Sequence, residues 1–239
     1  MEKNISSLMV EKICTAYDRA DVLEDLSLKV VQGTITCLLG NNGSGKTTVI
    51  RSILGLTPPR SGRIVFEDDD ITRLPTHKII RRGIASIPEG RKVFPGLTVA
   101  ENLRLGGYQE DDKGVLLERM KKVYGIFPRL KERSSQLAGT MSGGEQAMVS
   151  IGRGLMSAPK LLIVDEPSLG LSPLLVKENF RIIQEIRDQG VTVFLVEQNV
   201  RQTLGISDYG YVLSKGGVVA EGDARYLRDN KEVQEAYFG

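Results

Sequence analysis

The chain has 239 residues, 41% of them hydrophobic, which is enough for a full α/β core with a smaller appended subdomain. Its 32 basic and 30 acidic side chains give a formal net charge of +2 without any polybasic block, so we expect no nucleic-acid partner. No apolar run approaches the roughly 18 residues of a membrane span and no secretory signal opens the chain, so we expect a soluble, cytosolic protein.

Two stretches before residue 31 alternate apolar and polar residues, which predicts half-buried antiparallel strands. Their apolar positions are Leu8, Val10 and Ile13 in the first stretch and Leu26, Leu28 and Val30 in the second. Between them, Tyr17 falls in a polar segment that we interpret as a loop. Its ring is suited to stacking on a purine, although a tyrosine lying on a surface loop is the simpler interpretation.

Residues 40–48 fit the phosphate-binding pattern G-x-x-x-x-G-K-[ST] at every specified position. The apolar run 34–39 before them predicts a buried strand, and residues 48–54 predict a helix that ends at Gly55. In such a loop the backbone N–H groups surround phosphate oxygens, the lysine bridges the β- and γ-phosphates of a nucleotide, and the following hydroxyl ligates Mg²⁺. The correct flanks argue against an ordinary glycine-rich turn. The residues are Gly40, Asn41, Asn42, Gly43, Ser44, Gly45, Lys46, Thr47 and Thr48.

The middle of the chain predicts a helical insertion. A strand at 84–87 leads into a loop, and Thr98 with Glu101 has the spacing of a capping box that begins a helix. Helical patterns continue to about residue 133, with interruptions at Gly106-Gly107 and Phe127-Pro128. We therefore predict a single domain over residues 1–239, with a nucleotide-binding core at 1–87 and 158–239 and a helical subdomain at 88–157.

Two further motifs follow the insertion. The run Ser142, Gly143, Gly144 and Glu145 has capping-box spacing, and a helix that begins with two glycines is also a site for an anion. Four apolar residues then end in Asp165 and Glu166, which is the pattern of a buried parallel strand that carries acids at its carboxyl end. Further on, residues 191–196 predict another strand, Lys215-Gly216-Gly217 a hairpin turn, and Asp223 the cap of a short helix.

These motifs, in this order and with a helical insertion between them, resemble the ATP-binding-cassette (ABC) family over essentially the whole chain. The resemblance implies an α/β fold: a P-loop NTPase core with a mixed parallel sheet, an N-terminal antiparallel β subdomain and a helical subdomain. It also implies that Tyr17 stacks on adenine, that Asp165 acts on Mg²⁺ and that Glu166 orients the attacking water. In that family two cassettes pair head to tail, so Ser142, Gly143, Gly144 and Glu145 are expected to bind ATP in trans.

Three positions depart from the usual family pattern. Glu89 stands where most cassettes have a glutamine, Ser172 where they have an aspartate, and Gln198 where they have the histidine that contacts the γ-phosphate. Lys46 and Glu166 are retained, so an active ATPase is still expected. We expect Glu89 to lie near the metal with Thr47 and Asp165, because oxygen ligands suit Mg²⁺.

The combination of P-E-G-R, D-E-P-S-L-G-L and V-E-Q-N resembles the ATPase subunits of branched-chain amino-acid importers, of the LivF type. This implies an ATP-hydrolysing peripheral subunit on the cytoplasmic face of the membrane. Its expected partners are a paralogous ATPase subunit, or a second copy, and two permease subunits, with a solute-binding protein acting indirectly. One alternative is the same ATPase role in a urea or amide importer or in a lipid exporter. The other is a soluble ABC ATPase that takes no part in transport.

Overall fold

The computed structural model describes residues 6–17 and 20–230, and the side chains within 7–16 and 22–230. The strands are β1 (Ser6–Tyr17), β2 (Ala20–Val31), β3 (Ile35–Leu39), β4 (Ser61–Phe66), β5 (Asp69–Asp70), β6 (Ile84–Ile87), β7 (Leu161–Asp165), β8 (Thr192–Glu197), β9 (Tyr209–Ser214) and β10 (Gly217–Asp223). The helices are α1 (Lys46–Ile53), α2 (Thr76–Ile80), α3 (Val99–Gly106), α4 (Lys113–Ile126), α5 (Pro128–Glu132), α6 (Gly143–Leu155), α7 (Pro173–Asp188), α8 (Val200–Ile206) and α9 (Ala224–Asp229).

A six-stranded sheet in the order β10-β9-β3-β8-β7-β6 forms the centre of the fold. Strands β9, β3, β8, β7 and β6 are parallel, and β10 pairs with β9 in the antiparallel direction. All residues of β3, β7 and β8 are buried, as expected for parallel strands covered on both faces. The predicted mixed parallel sheet is therefore confirmed, and β3, β6, β7 and β8 end at one edge.

A second, antiparallel sheet has the order β2-β1-β4-β5. Its buried apolar residues share one core with α1 and with one face of the six-stranded sheet, including Leu38 and Phe194. The predicted antiparallel strands before the phosphate-binding loop are confirmed. The loop predicted around Tyr17 is wrong, because β1 continues through that residue and β2 begins at Ala20. The side chain of Tyr17 lies outside the described residues.

Helices α3 to α6 pack in a second core on the other face of the six-stranded sheet. Leu103, Val123 and Leu130 from the helices lie in the same apolar cluster as Leu162 and Leu195 from the sheet. The capping boxes predicted at the starts of α3 and α6 are both present. The boundaries of a helical subdomain at 88–157 stay a prediction.

The packing of α3 on α6 depends on Gly106, because a Cβ at this position would lie 1.8 Å from the backbone oxygen of Arg153. We expect Gly106→Ala to destabilise the protein by about 1–3 kcal/mol, since two helix backbones must separate. Gly125→Ala in α4 is the control. A Cβ there meets no atom within 4 Å, so it should stabilise the helix by up to about 1 kcal/mol. Denaturant unfolding measures both, and equal midpoints would contradict the prediction.

Candidate nucleotide-binding site

A cleft of about 420 Å³ lies at the edge where the parallel strands end. It brings together residues from five separate segments: strand β2, the loop and first turn between β3 and α1, the loop after β6, the loop after β7 and the loop after β8. The lining residues are Val22, Asn42, Gly43, Gly45, Lys46, Thr47, Thr48, Glu89, Glu166, Leu169 and Gln198. Six of the nine residues predicted in the phosphate-binding loop therefore line one cavity, and Gly40, Asn41 and Ser44 belong to the same loop.

The loop from Gly40 to Gly45 turns directly into α1. Gly45 precedes the helix with a φ of 111°, a left-handed conformation that residues with a Cβ rarely adopt. Ser44 Oγ is buried and has no hydrogen-bond partner within the described residues. A buried hydroxyl of this kind is suited to donate to a phosphate oxygen.

Lys46 is 5% exposed, and its ammonium group is held by three oxygen atoms. Nζ lies 2.8 Å from the backbone oxygen of Gly40, 3.2 Å from that of Asn41 and 3.2 Å from Oε1 of Glu166. Two of its three protons are used in hydrogen bonds to the backbone of the loop, and the contact with Glu166 is an ion pair. A phosphate that binds to Lys46 competes with these contacts.

Asp165 and Glu166 occupy the end of β7 and its exit. Asp165 is 8% exposed, and its burial, together with the carboxylates of Glu166 and Glu89, raises its pKa to about 6. Glu166 has a φ of 45°, which is strained for a residue with a side chain, and its N–H donates to the backbone oxygen of Val196 at 2.9 Å. Glu166 lines both the cleft and a small adjoining cavity, whereas Asp165 lines only the adjoining cavity.

The three residues predicted to hold a metal lie at this edge of the sheet. Thr47 and Glu89 line the cleft, whereas Asp165 lines a small adjoining cavity together with Glu166. In the described part of the chain there is no cluster of three His, Cys, Asp or Glu that could hold a metal by itself. The oxygen donors fit Mg²⁺, and the raised pKa of Asp165 reflects its burial first and then the carboxylates of Glu166 and Glu89.

The predicted residues of the α6 start lie outside this cleft. Ser142 caps α6, and its hydroxyl donates to Oε2 of Glu145 at 2.8 Å. Arg133 Nε pairs with Oε1 of Glu145 at 3.3 Å. The cleft-lining residues include none of the four predicted at the α6 start, so within one chain this motif and the phosphate-binding loop do not form one pocket.

Two contacts were not predicted from the sequence. Arg91 Nη2 donates to the backbone oxygen of Gly170 at 2.8 Å, so the loop after β6 contacts the loop after β7. The carboxylate of Glu197 accepts from the backbone N–H groups of Ser168, Gln198 and Asn199. The only available signal was a charged residue at the end of an otherwise apolar run, and this signal does not identify the partners.

Comparison with known proteins agrees with this geometry. The family model described as "ABC transporter" matches residues 23–169. The chain belongs to the ABC transporter family. It is 47% identical to BraG of Pseudomonas aeruginosa, a high-affinity branched-chain amino-acid transport ATP-binding protein, over 97% of this chain and 99% of BraG.

Two further relatives widen the comparison. The lipopolysaccharide export ATP-binding protein LptB of Escherichia coli is 35% identical and covers 98% of each chain. The crystal structure of the ADP conformation of MJ1267, an ATP-binding cassette of an ABC transporter, superimposes with a TM-score of 0.87 at 28% identity, covering 98% of this chain and 99% of that one. The predicted ABC ATPase fold is confirmed.

As an ABC transporter ATP-binding domain, the chain binds ATP, and ATPase subunits of this family work with permease subunits. Within residues 6–17 and 20–230, no helix has the length and apolar character needed to cross a membrane.

Lys46→Ala tests the binding site. Lys46 is the only lysine or arginine that lines the cleft among the described residues. A charge-assisted hydrogen bond contributes about 1.5–3 kcal/mol, so we expect the Kd for ATP to rise about 10- to 150-fold. Nucleotide titration measures this, and Lys78→Ala on the exposed side of α2 is the control. Unchanged affinity in Lys46→Ala would mean that the loop does not bind phosphate.

Asp165 predicts a pH dependence of stability in the metal-free protein. Its pKa is about 6 in the folded state and 3.8 ordinarily, so its contribution to stability is complete below about pH 4 and is lost as pH rises through about 6. In Asp165→Asn the side chain cannot ionise, so this loss of stability at higher pH does not occur. In EDTA and without nucleotide, we expect its Tm to exceed the parent's at about pH 7.5 and to match it at about pH 4.

Asp68→Asn, at an exposed position, is the control for this pH series and should show no such gain. If the Tm difference between Asp165→Asn and the parent were the same at both pH values, the carboxylate would not titrate as described.

Proposed function

We propose that this chain is the ATP-hydrolysing subunit of a membrane importer for branched-chain or related hydrophobic amino acids. The observation that carries the proposal is the single cleft in which Lys46, Thr47, Glu89, Glu166 and Gln198 meet. Phosphoryl transfer depends mainly on positioning and on neutralising charge. Lys46 supplies a cation, and Glu166 and Gln198 supply groups that position the water and the phosphate.

Each residue has a role that its position supports. Lys46 holds the β- and γ-phosphates after they replace Glu166 as its partner. Glu166, 14% exposed and released from Lys46, accepts a proton from the attacking water and orients it. The exposed amide of Gln198 donates to the γ-phosphate, and unlike a histidine it does not titrate near neutral pH.

Mg²⁺ is the expected cofactor beside ATP. Thr47, Asp165 and Glu89 are the residues that would hold it, because they supply hydroxyl and carboxylate oxygens at one edge of the sheet. When bound, the ion neutralises charge on the phosphates that are being transferred. Tyr17 is proposed to stack on the adenine.

The proposed pairing of two ATPase subunits rests on the position of the residues at the α6 start. Ser142, Gly143, Gly144 and Glu145 lie outside the cleft of their own chain, which supports a head-to-tail pair in which they contact ATP on the other subunit. The other subunit is a paralogous ATPase or a second copy. Leu169 and Leu174, 51% and 76% exposed beside the cleft-forming loop, suit such an interface.

We further propose that two permease subunits hold this pair on the cytoplasmic face of the membrane. The groove beside Glu89, between the nucleotide-binding core and the helical subdomain at 88–157, is the proposed permease contact. A solute-binding protein delivers the amino acid to the permeases and acts on this chain only indirectly. The 47% identity to BraG, against 35% to LptB, supports amino-acid import over lipid export.

Transport by the complete complex tests this function. In liposomes that contain both permeases and ATPase subunits, we expect ATP-dependent uptake of leucine, isoleucine and valine but not of urea.

Glu166→Gln should bind ATP and lose at least about 10²-fold in hydrolysis and uptake, because it lacks the base. Glu185→Gln on α7 is the control. Urea uptake, or undiminished hydrolysis in Glu166→Gln, would contradict the proposal.

A further inference from the structure

Glu197 is an unusual residue for the end of a central strand. It is the last residue of β8, lies between β3 and β7 in the sheet and is 1% exposed. In the described part of the chain, no Lys, Arg or His lies within ion-pair distance of its carboxylate. A buried carboxylate without a cation needs full hydrogen bonding to be tolerated.

Backbone N–H groups from two different loops provide this hydrogen bonding. Oε1 accepts from the N–H of Ser168, 2.9 Å away, in the loop after β7. Oε2 accepts from the N–H groups of Gln198 and Asn199, at 3.0 Å and 3.3 Å, in the loop after β8. One carboxylate therefore connects the loop that carries Glu166 to the loop that carries Gln198.

The connection lies beside the strained backbone of Glu166. The N–H of Glu166 is held by the backbone oxygen of Val196, and two residues later Ser168 is held by Glu197. The left-handed turn at Glu166 is thus attached to β8 on both sides. Residues in such conformations persist only when their surroundings constrain them.

We infer that Glu197 is a positioning residue that sets Glu166 and Gln198 relative to each other and to the γ-phosphate. It does not touch the nucleotide, because it is buried behind the cleft and does not line it. The inference rests on the proposed ATPase function, in which Glu166 acts on the attacking water and Gln198 donates to the γ-phosphate. The alternative is that Glu197 only stabilises the sheet.

Glu197→Gln distinguishes these two roles. The amide has nearly the same shape, but only one of its two terminal atoms is an acceptor oxygen. Its NH₂ group, which is a donor, must then face the N–H of Ser168 or the N–H groups of Gln198 and Asn199. One of the two loops therefore loses its attachment. We expect kcat to fall about 10²-fold, because small misplacements of catalytic groups have effects of this size. The Kd for ATP should stay within about twofold, since the phosphate-binding loop is unchanged.

A matched control lies at the other end of the same strand. Thr192 is 1% exposed, and its Oγ1 accepts from the N–H of Gly33 at 3.1 Å. Thr192→Val keeps the shape and also removes a buried acceptor from β8, so it should lower the Tm. It lies far from the loops in question along the strand, and we expect its kcat to equal that of the parent.

Hydrogen exchange gives a readout that does not depend on turnover. In Glu197→Gln, peptides covering residues 166–172 or 197–203 should exchange faster than in the parent. In Thr192→Val both should exchange at the parent rate. Unchanged exchange of both peptides in Glu197→Gln would show that the carboxylate does not hold either loop and would overturn the inference.

The decisive measurement is the ATPase rate of the assembled transporter, with the partner subunits held constant. If the parent does not hydrolyse ATP, or if Glu166→Gln hydrolyses it at the parent rate, the proposed function fails. If the parent hydrolyses ATP, Glu166→Gln does not and Glu197→Gln turns over like the parent, only the inference about Glu197 is wrong. An equal loss of kcat in Glu197→Gln and Thr192→Val would also overturn it.

Discussion

The parallel alignment of four strands is the constraint on which the site depends. Because β3, β6, β7 and β8 run in the same direction, their carboxyl ends meet at one edge. Each strand leads into one part of the cleft: β3 into the phosphate-binding loop, β6 into the loop with Glu89, β7 into Glu166 and β8 into Gln198. Reversing the direction of any one strand would remove its residues from the cavity.

This arrangement concentrates negative charge. Burial raises the pKa of Asp165, and the nearby carboxylates of Glu166, Glu89 and Glu197 raise it further, while Lys46 opposes this rise. The carboxylates are accommodated in different ways. Glu166 pairs with Lys46, whereas Glu197 is satisfied by backbone N–H groups. The fold thus separates a group that is free to change partners from one that is fixed.

Local patterns predicted the elements well, because each depends on neighbours in the sequence. The phosphate-binding loop, both capping boxes and the β9–β10 hairpin arise from short spacings whose physics is local. The loop predicted around Tyr17 was wrong for a related reason. Its polar residues indicate a loop, yet Thr15, Ala16 and Tyr17 pair with β2, and Thr15 is fully buried. Tertiary pairing overrides local composition at such positions.

The sequence by itself determined the family, the phosphate-binding loop and the identity of the acidic pair, because these are encoded in contiguous residues. Only the tertiary structure decided which partners those residues have. The ion pair of Lys46 with Glu166, the contact of Arg91 with Gly170 and the bridge from Glu197 to Ser168 join segments up to 120 positions apart, from Lys46 to Glu166. Such contacts follow from strand order and register, which local spacing does not specify.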